Sequence, residues 1–572
     1  MGVARRIFQS AGQLTSHVTP GGYSRIDSVR GSSGSVSLKN VVILGRCTGG
    51  KPATLLSYGT ITEAKNVLRS GPLAEAANLA FKPSTDPGRV PQRLYFMRVN
   101  SAVQSTLTLD DASTNDMLKL DSIDYGAWTA QLAVTVAAGT SAGKKVTIEY
   151  LTNVETFDDI SRNMILIEHT NAATTVAITI TSATQQMVLS ADSHTIDLSL
   201  YDTMDSLAAY INTLTGYTAT VSSGADDRSP LTMDGCVATA VGAGGYQATA
   251  ILQAIADTIN LNSGYLEATV VNATNNRQIP ANISKTFLSG GSEGSYTSTE
   301  WSAALTALEA EDVQIVTTPD DDEAVHAAIN THCITMSSTS QRKERQPVFG
   351  GAWGDSESTA KTNALALNSK VGTLYAHVGG TQYNLAGELT NFSSCYVACM
   401  IAGMFAALAL NEPLTFKELN LISLEKKLTP NQIDDLIEHG VAPIGFNDDK
   451  VPHIIRQITT YQSDDLKYNE FSVVFEMFYV SRDIRSYINR KTTGIPGNIP
   501  LGTVEGLVKN RLTYYAEQGV FTKDDTGKYW WNVILTLSGD ALYVDYDANV
   551  TLPINFEFIT NHFHEATVET VA

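Results

Sequence analysis

Positive charge is scarce in this chain. Thirty-nine Lys and Arg stand against 59 Asp and Glu in 572 residues, a formal net charge of −20. A protein that wraps nucleic acid needs a basic face to displace counterions from phosphates, so the balance argues against broad nucleic-acid binding. Cysteine is scarce too: Cys47, Cys236, Cys333, Cys395 and Cys399 are all there is. Scattered over this length they make no disulfide framework and read as reduced thiols, the odd number leaving room for one intermolecular bond. Long apolar runs are missing. Cys395–Leu410 spans 16 residues, short of the roughly 20 a membrane span needs, and no basic cluster flanks it. Its many Ala and Gly suit a buried core helix instead. Met1–Ser16 holds no apolar h-region, so no signal peptide is expected.

Signatures of catalysis are also thin. Gly45-Arg46-Cys47-Thr48-Gly49-Gly50-Lys51-Pro52 follows an apolar run and nearly spells a phosphate loop. Position 52 would have to offer a hydroxyl to magnesium, and Pro52 offers none while removing a backbone donor. Gly139-Thr140-Ser141-Ala142-Gly143-Lys144 is one residue too short for the same motif. His562, His564 and Glu565 near the end could reach a metal but read as surface; His326, His332 and Cys333 fall on one expected helix without a second cluster to complete a ligand set. Cys395 and Cys399 read as small buried hydrophobes. Asp320-Asp321-Asp322-Glu323 sits where acids favour a helix N-terminus. No Ser-His-Asp or Cys-His arrangement with a local signature appears. The sequence therefore calls for no cofactor and no metal.

What is present is a long globular chain, 43% hydrophobic and 17% charged, with room for two to four domains. Asn40–Gly45 and Arg93–Val99 read as strands; Thr62–Leu68 and Leu73–Phe81 read as helices, giving an α/β unit. After Asn100, Thr, Ala, Val, Ser and Asp dominate to about Thr286, with strands expected at Leu132–Val136, Lys145–Tyr150, Val176–Ile180 and Thr195–Leu198 and one short helix over Met204–Leu214. This stretch carries 19 acidic and 7 basic residues between Ser101 and Lys285, most of the net charge. Helices and strands then alternate again: Thr299–Glu309, Val313–Thr317, Asp322–Met336, Pro347–Gly350, Ser356–Ser369 and Val371–Val378. Two long helical patterns follow, Asp465–Asn489 and Thr503–Gln518, then strands at Trp530–Leu537 and Ala541–Asp545. Val550, Leu552, Ile554, Phe556 and Phe558 alternate strictly and predict a final strand. The first 40 residues invert the charge: Arg5, Arg6, Arg25, Arg30 and Lys39 face only Asp27, a basic arm on an acidic body.

Several segments occur in a telling order. Gly290-Gly291-x-x-Gly294 precedes a helix; Leu428-Thr429-Pro430-Asn431-Gln432-Ile433 leads to Leu436–Ile444 ending in Gly-Val-Ala-Pro-Ile; Ile455–Tyr461 follows. Gly126-Ala127-Trp128 stands before the Leu132–Val136 strand. Together these resemble the tail sheath proteins of contractile bacteriophage tails and related injection systems, over roughly Gly21–Val99 and Phe287–Phe558. The family's usual Gly-x-Trp-Gly-Asn has Thr129-Ala130 here.

The resemblance implies a multidomain α/β (α+β) protein: a mixed-sheet core, an inserted mainly-β domain and extended arms. The expected division is a linking arm over 1–20, core over 21–100, insertion on the outer surface over 101–286, core again over 287–454, a tube-proximal domain over 455–548 and a linking arm over 549–572. It implies a structural, non-enzymatic virion subunit, assembled in the host bacterial cytoplasm, that stacks as hexameric rings around a tail tube and contracts to drive the tube through the host envelope. Partners would be further copies of itself, the tube protein, baseplate and terminator proteins, with no nucleic acid and no direct membrane insertion. The C-terminal strand and the N-terminal residues Arg5, Arg6, Ile7 and Phe8 would link subunits by strand addition. Arg482, Arg485, Arg490, Lys491, Lys509 and Arg511, basic in an acidic chain, would meet the tube. An α/β enzyme (an NTPase or hydrolase) and a surface-layer or adhesion protein remain the alternatives.

Overall fold

The computed structural model describes residues 6–10, 13–17, 39–271, 274–463, 465–492, 500–539 and 541–555. Its organising element is an eight-stranded sheet assembled from two distant parts of the chain. In spatial order the strands are Pro452–Ile454, Ala442–Phe446, Leu374–His377, Gln346–Gly350, Ile315–Thr317, Val41–Gly45, Leu94–Arg98 and Leu55–Tyr58. The six inner strands run parallel, and an antiparallel strand closes each edge. Both faces are covered, which explains why these strands read as continuous apolar runs. Successive residues feed opposite cores. Val41 and Ile43 join one cluster with the helices Pro72–Phe81, Ser394–Ala407, Phe471–Thr492 and Leu501–Glu517. Val42 and Leu44 join another with the helices Ser298–Leu308, Glu323–Met336 and Glu357–Ala366.

The helix ends follow their sequences. Thr297 and Glu300 form a capping box at Ser298–Leu308, and Thr429 and Gln432 form another behind the N1 proline of Pro430–Glu438. Asp322 caps Glu323–Met336 by accepting from the Ala324 N–H at 2.9 Å, the helix-start role its acidic neighbours suggested. Ser394–Ala407 is buried along nearly its whole length against Pro72–Phe81, as its Ala and Gly content predicts. Among the described residues no helix is long and apolar enough to cross a membrane.

Between the two halves of the core lies a mainly-β insertion with two apolar cores. One gathers Leu118, Val134, Ile148, Ile255 and Leu266, the other Ile165, Ile178, Met187, Leu207 and Ala248. Its strands include Ala133–Ala138, Lys144–Tyr150, Thr175–Ile180 and His194–Asp197, where the sequence placed them, and the helix Met204–Ile211. A second helix, Ile251–Asn262, was not anticipated, although Leu252, Ile255, Ala256 and Ile259 carry the helical spacing.

The two termini differ in what they form. In the N-terminal arm Arg6–Ser10 and Gln13–His17 pair as an antiparallel hairpin, Ile7 opposite Ser16 and Phe8 opposite Thr15. The strand expected from Val550, to pair with a neighbouring subunit, has no ladder among the described residues. Val550 makes one isolated bridge to Phe521, and Thr551–Asn555 have no strand partner. A strand needs a ladder, and among the described residues Thr551–Asn555 have none. Phe556 and Phe558, like Arg5, lie outside the described residues.

Candidate assembly surfaces

The near-phosphate loop is committed to the fold. Its amides already have partners: the Cys47 N–H donates to Asn100 Oδ1 (3.2 Å), Thr48 to the Ser70 carbonyl (3.0 Å), Gly49 to the Leu68 carbonyl (3.2 Å) and Gly50 to Asp124 Oδ1 (2.7 Å). A phosphate cradle needs those same N–H groups free. The crevice outside the carboxyl ends of the parallel strands, where open α/β sheets usually bind ligands, is a cavity of about 170 Å³ lined by Gly45, Arg46, Pro319, Asp320, Asp321 and Cys395. The Pro319 ring fills it from one side, 3.3 Å from where a Cβ on Gly45 would stand.

The other chemistry-bearing residues are likewise spent on structure. His326 stacks on Phe349 at 4.5 Å, and its Nε2 meets the Asp320 carbonyl at 2.8 Å. His332 stands 2.5 Å from the buried Arg345 guanidinium; burial and that charge hold its pKa down at about 4. Burial pushes Cys333 and Cys395 up to about 12 and Cys399 higher still, so these thiols are inert. Among the described residues no three His, Cys, Asp or Glu converge as a metal site. His562, His564 and Glu565 lie outside them.

The glycine motifs meet at the junction between core and insertion. Gly294 takes φ +68°, and a Cβ there would lie 1.9 Å from the Ser101 carbonyl. Gly126 takes φ +113°, 2.5 Å by the same measure from the Thr48 carbonyl. Around them Arg98, fully buried, donates to the carbonyls of Gly50 and Tyr125 and to Glu293. Asn100 Nδ2 donates to the Glu293 carbonyl at 2.7 Å. The Arg69 guanidinium stacks over Trp128 at 3.1 Å and pairs with Asp124. The two chain crossings are zipped together by Val103–Ser292 and Thr106–Ser289 bridges. Sequence reading singled out the glycines and Trp128 but missed Arg69, Arg98 and Glu293, whose only signals were a charge ending a helix, a charge ending an apolar strand and one sitting between glycines.

The C-terminal unit holds the features that face outward. Trp530–Ser538 and Ala541–Ala548 form a two-stranded hairpin, and among the described residues neither outer edge has a partner. Trp530, Leu535, Leu542, Val544 and Tyr546 turn toward the helices beneath, while Ile534 (57% exposed) and Tyr543 (57%) turn out. Beyond it Leu552 is 55% and Ile554 82% exposed. Edges of this length and apolarity are templates for another strand.

Residues 294–460 match the family described as the phage tail sheath protein central domain. The tail sheath protein of Bacillus phage SP01 is 26% identical over 574 residues, covering 96% of this chain and 95% of that protein. The tail sheath protein of Staphylococcus phage Twort is 22% identical over 524 residues, covering 81% and 87%. The crystal structure of the sheath tail protein from Desulfitobacterium hafniense shares the fold, with a TM-score of 0.54 at 12% identity over 93% of this chain and 96% of that one. Over most of its length the chain is therefore similar to phage tail sheath proteins, and residues 294–460 carry their central domain.

Within the sheath domain the motif segments touch one another. Gly440, at φ +72°, packs where a Cβ would lie 2.8 Å from the Thr459 carbonyl, and Thr459 bridges Leu374. Arg456 pairs with Glu470 at 2.8 Å, and the Thr460 N–H donates to the Thr373 carbonyl at 2.8 Å. These motifs hold the sheath core together. The six cationic residues expected at the tube divide. Arg482 is 8% exposed and 3.6 Å from Asp312; Arg485 grips Glu344 with two bonds of 2.8 Å. Arg511 pairs with the fully buried Asp483, which also accepts from Tyr515 Oη at 2.6 Å, and Lys509 pairs with Glu505 one turn away. Arg490 and Lys491, at the end of Phe471–Thr492, are exposed. Sequence reading saw the charges but not the acids that distant segments bring to them.

Proposed function

We propose that this sheath protein polymerises as stacked hexameric rings around a tail tube and contracts to drive the tube through the host envelope during genome ejection. In this reading it is a mechanical virion subunit, with copies of itself, the tube, the baseplate and the tail terminator as partners. The observation that carries the reading is the two-stranded hairpin Trp530–Ala548, whose two edges have no partner among the described residues, beside a C-terminal segment that exposes Leu552 and Ile554. A strand from a neighbour, from its N-terminal hairpin segment or its residues after Ala548, would complete that sheet. Main-chain ladders of this kind tolerate rotation of the bodies they join when the connecting segments are short and compliant. The energy of contraction would then come from repacking subunit surfaces, with no nucleotide spent. That agrees with a loop at Gly45–Pro52 whose amides are already bonded.

The tube contact is proposed at the tip of the helical pair Phe471–Thr492 and Leu501–Glu517, where Arg490 and Lys491 are exposed. Exposed ion pairs are weak and screened by salt, which suits a contact that must release. Negative-stain microscopy of the purified chain tests the whole reading. Hollow tubes of uniform diameter support it. Flat lattices would replace it with a surface-layer protein, and dispersed particles that turn over a substrate with an enzyme.

A further inference from the structure

Two residues before the central strand Val41–Gly45 stands a buried lysine. Lys39 is 7% exposed, and its ammonium donates to the carbonyls of Leu408 (3.1 Å) and Ala409 (2.8 Å). Those acceptors lie just past Ser394–Ala407, at the negative end of the helix, where carbonyls lack intrahelical donors. The same ammonium sits 3.8 Å above the Phe405 ring and 5.7 Å from Phe475. Glu476, 2% exposed on Phe471–Thr492, acts on that ammonium by its charge, and among the described residues its Oε2 has no hydrogen-bond partner. Asn40 is fastened to different partners: its N–H donates to Gln314 Oε1 and its Nδ2 to the Asp312 carbonyl, both at 2.8 Å. Its carbonyl accepts from the N–H groups of Gln314 (2.9 Å) and Ile315 (3.1 Å). Val41 then opens a fully buried strand.

We infer that Lys39 and Asn40 form an anchor on two sides of the chain that fixes the root of the N-terminal segment to the core, so that a pull on that segment is delivered into the central sheet instead of being absorbed by a hinge. This rests on the proposed linking role of the N-terminus. An apolar residue would fill the Lys39 site without burying a charge, which costs free energy. What a lysine adds is directional: charge-assisted bonds to two fixed carbonyls resist sliding, and an apolar side chain does not. The anchor ties the root to the helix Ser394–Ala407 through Lys39 and to the segment entering Ile315–Thr317 through Asn40. Strain arriving along residues before Lys39 would therefore meet two elements of the sheath core at once.

Hydrogen exchange on the free, full-length subunit at pH 6 tests this without requiring assembly. Lys39→Met and Asn40→Ala are compared with the unaltered chain, and with Glu476→Gln, which leaves both carbonyl contacts in place. Amides of residues 40–43 should exchange at least tenfold faster in each of the first two variants and further in the double variant. Those of Leu374–His377, and all amides of Glu476→Gln, should hold. Should Lys39→Met not fold, Lys39→Gln, which retains a donor, gives an intermediate rise. Unchanged exchange at 40–43 in the folded double variant overturns the anchor. The linking role is read separately: subunits lacking Met1–Gly12 that form normal tubes would remove that role, while the exchange result would still stand for the anchor.

Discussion

Replacing Gly403 with alanine sets two effects of known size against each other. Gly403 lies inside Ser394–Ala407, where the usual gain from Gly to Ala in a helix is about 1 kcal/mol. Here a Cβ would stand 2.2 Å from the Ala80 carbonyl oxygen and 2.8 Å from its carbon and Cα. Ordinary contact is near 3.4 Å, so Ser394–Ala407 and Pro72–Phe81 would have to part by roughly 1 Å across a close-packed core. The atoms in the way are backbone and cannot rotate aside. Overpacking of this kind costs about 1–3 kcal/mol, and loss of contact along a helix buried on most sides puts the cost at the upper end. The expected net is a loss of about 2 kcal/mol. Gly506 is the control. It also lies inside a helix, Leu501–Glu517, but a Cβ there would meet nothing within 4 Å, so Gly506→Ala should gain about 0.5–1 kcal/mol. Urea denaturation followed by circular dichroism and tryptophan fluorescence reads both variants against the unaltered chain. A Gly403→Ala protein as stable as, or more stable than, the parent would refute the close helix contact and the reading of this Ala- and Gly-rich segment as core.

Burial draws Lys39 down to about 7 from 10.5 and pushes Glu476 up to about 8 from 4.5, with Glu412, itself bound by Lys417 and Arg89, the next charged group facing Lys39. The raised Glu476 contributes stability below about pH 4.5 that is lost as pH rises through 8; the lowered Lys39 contributes stability above about 10.5 that is lost as pH falls through 7. Measured against a Lys39→Met/Glu476→Leu variant, the parent should therefore be weakest near pH 7–8, and a difference that is flat from pH 5 to 10 would contradict this. Arg511→Ala should cost about 3 kcal/mol by stranding the buried Asp483, a loss visible in the isolated subunit. Arg490→Glu with Lys491→Glu should leave stability within about 0.5 kcal/mol and weaken sedimentation with tubes at low salt; unaltered co-sedimentation removes the proposed tube contact. Truncation after Ala548 should leave circular dichroism of the core intact and abolish ordered tubes, as seen by microscopy.

The parallel sheet was readable because its strands are apolar on both faces. Val41–Leu44 and Leu94–Met97 could hardly be anything but buried, and the helices between them carried their caps and spacing. The order of glycine motifs located the sheath core for the same local reason, since Gly294 and Gly440 stand at positive φ where a Cβ would strike backbone. What could not be read were pairings across hundreds of residues. Nothing near Arg485 announces Glu344, and nothing near Lys39 announces Leu408 or Glu476. The charges intended for a tube surface were therefore partly spent inside the chain. The alternation of Val550–Phe558 marks strand-forming character, but a ladder depends on a partner, and among the described residues Thr551–Asn555 have none.

On the proposed reading, the hairpin edges that have no partner among the described residues are completed by neighbouring subunits. Cryo-electron microscopy of tubes formed by the full-length chain tests it most directly, by counting the strands in the sheet built on Trp530–Ser538 and Ala541–Ala548. The expected result is a sheet extended by at least one strand contributed by another subunit's N- or C-terminal segment, with its ladder continuous along the hairpin edge. Ordered tubes in which that hairpin remains two-stranded, and subunits touch through side chains alone, would contradict it.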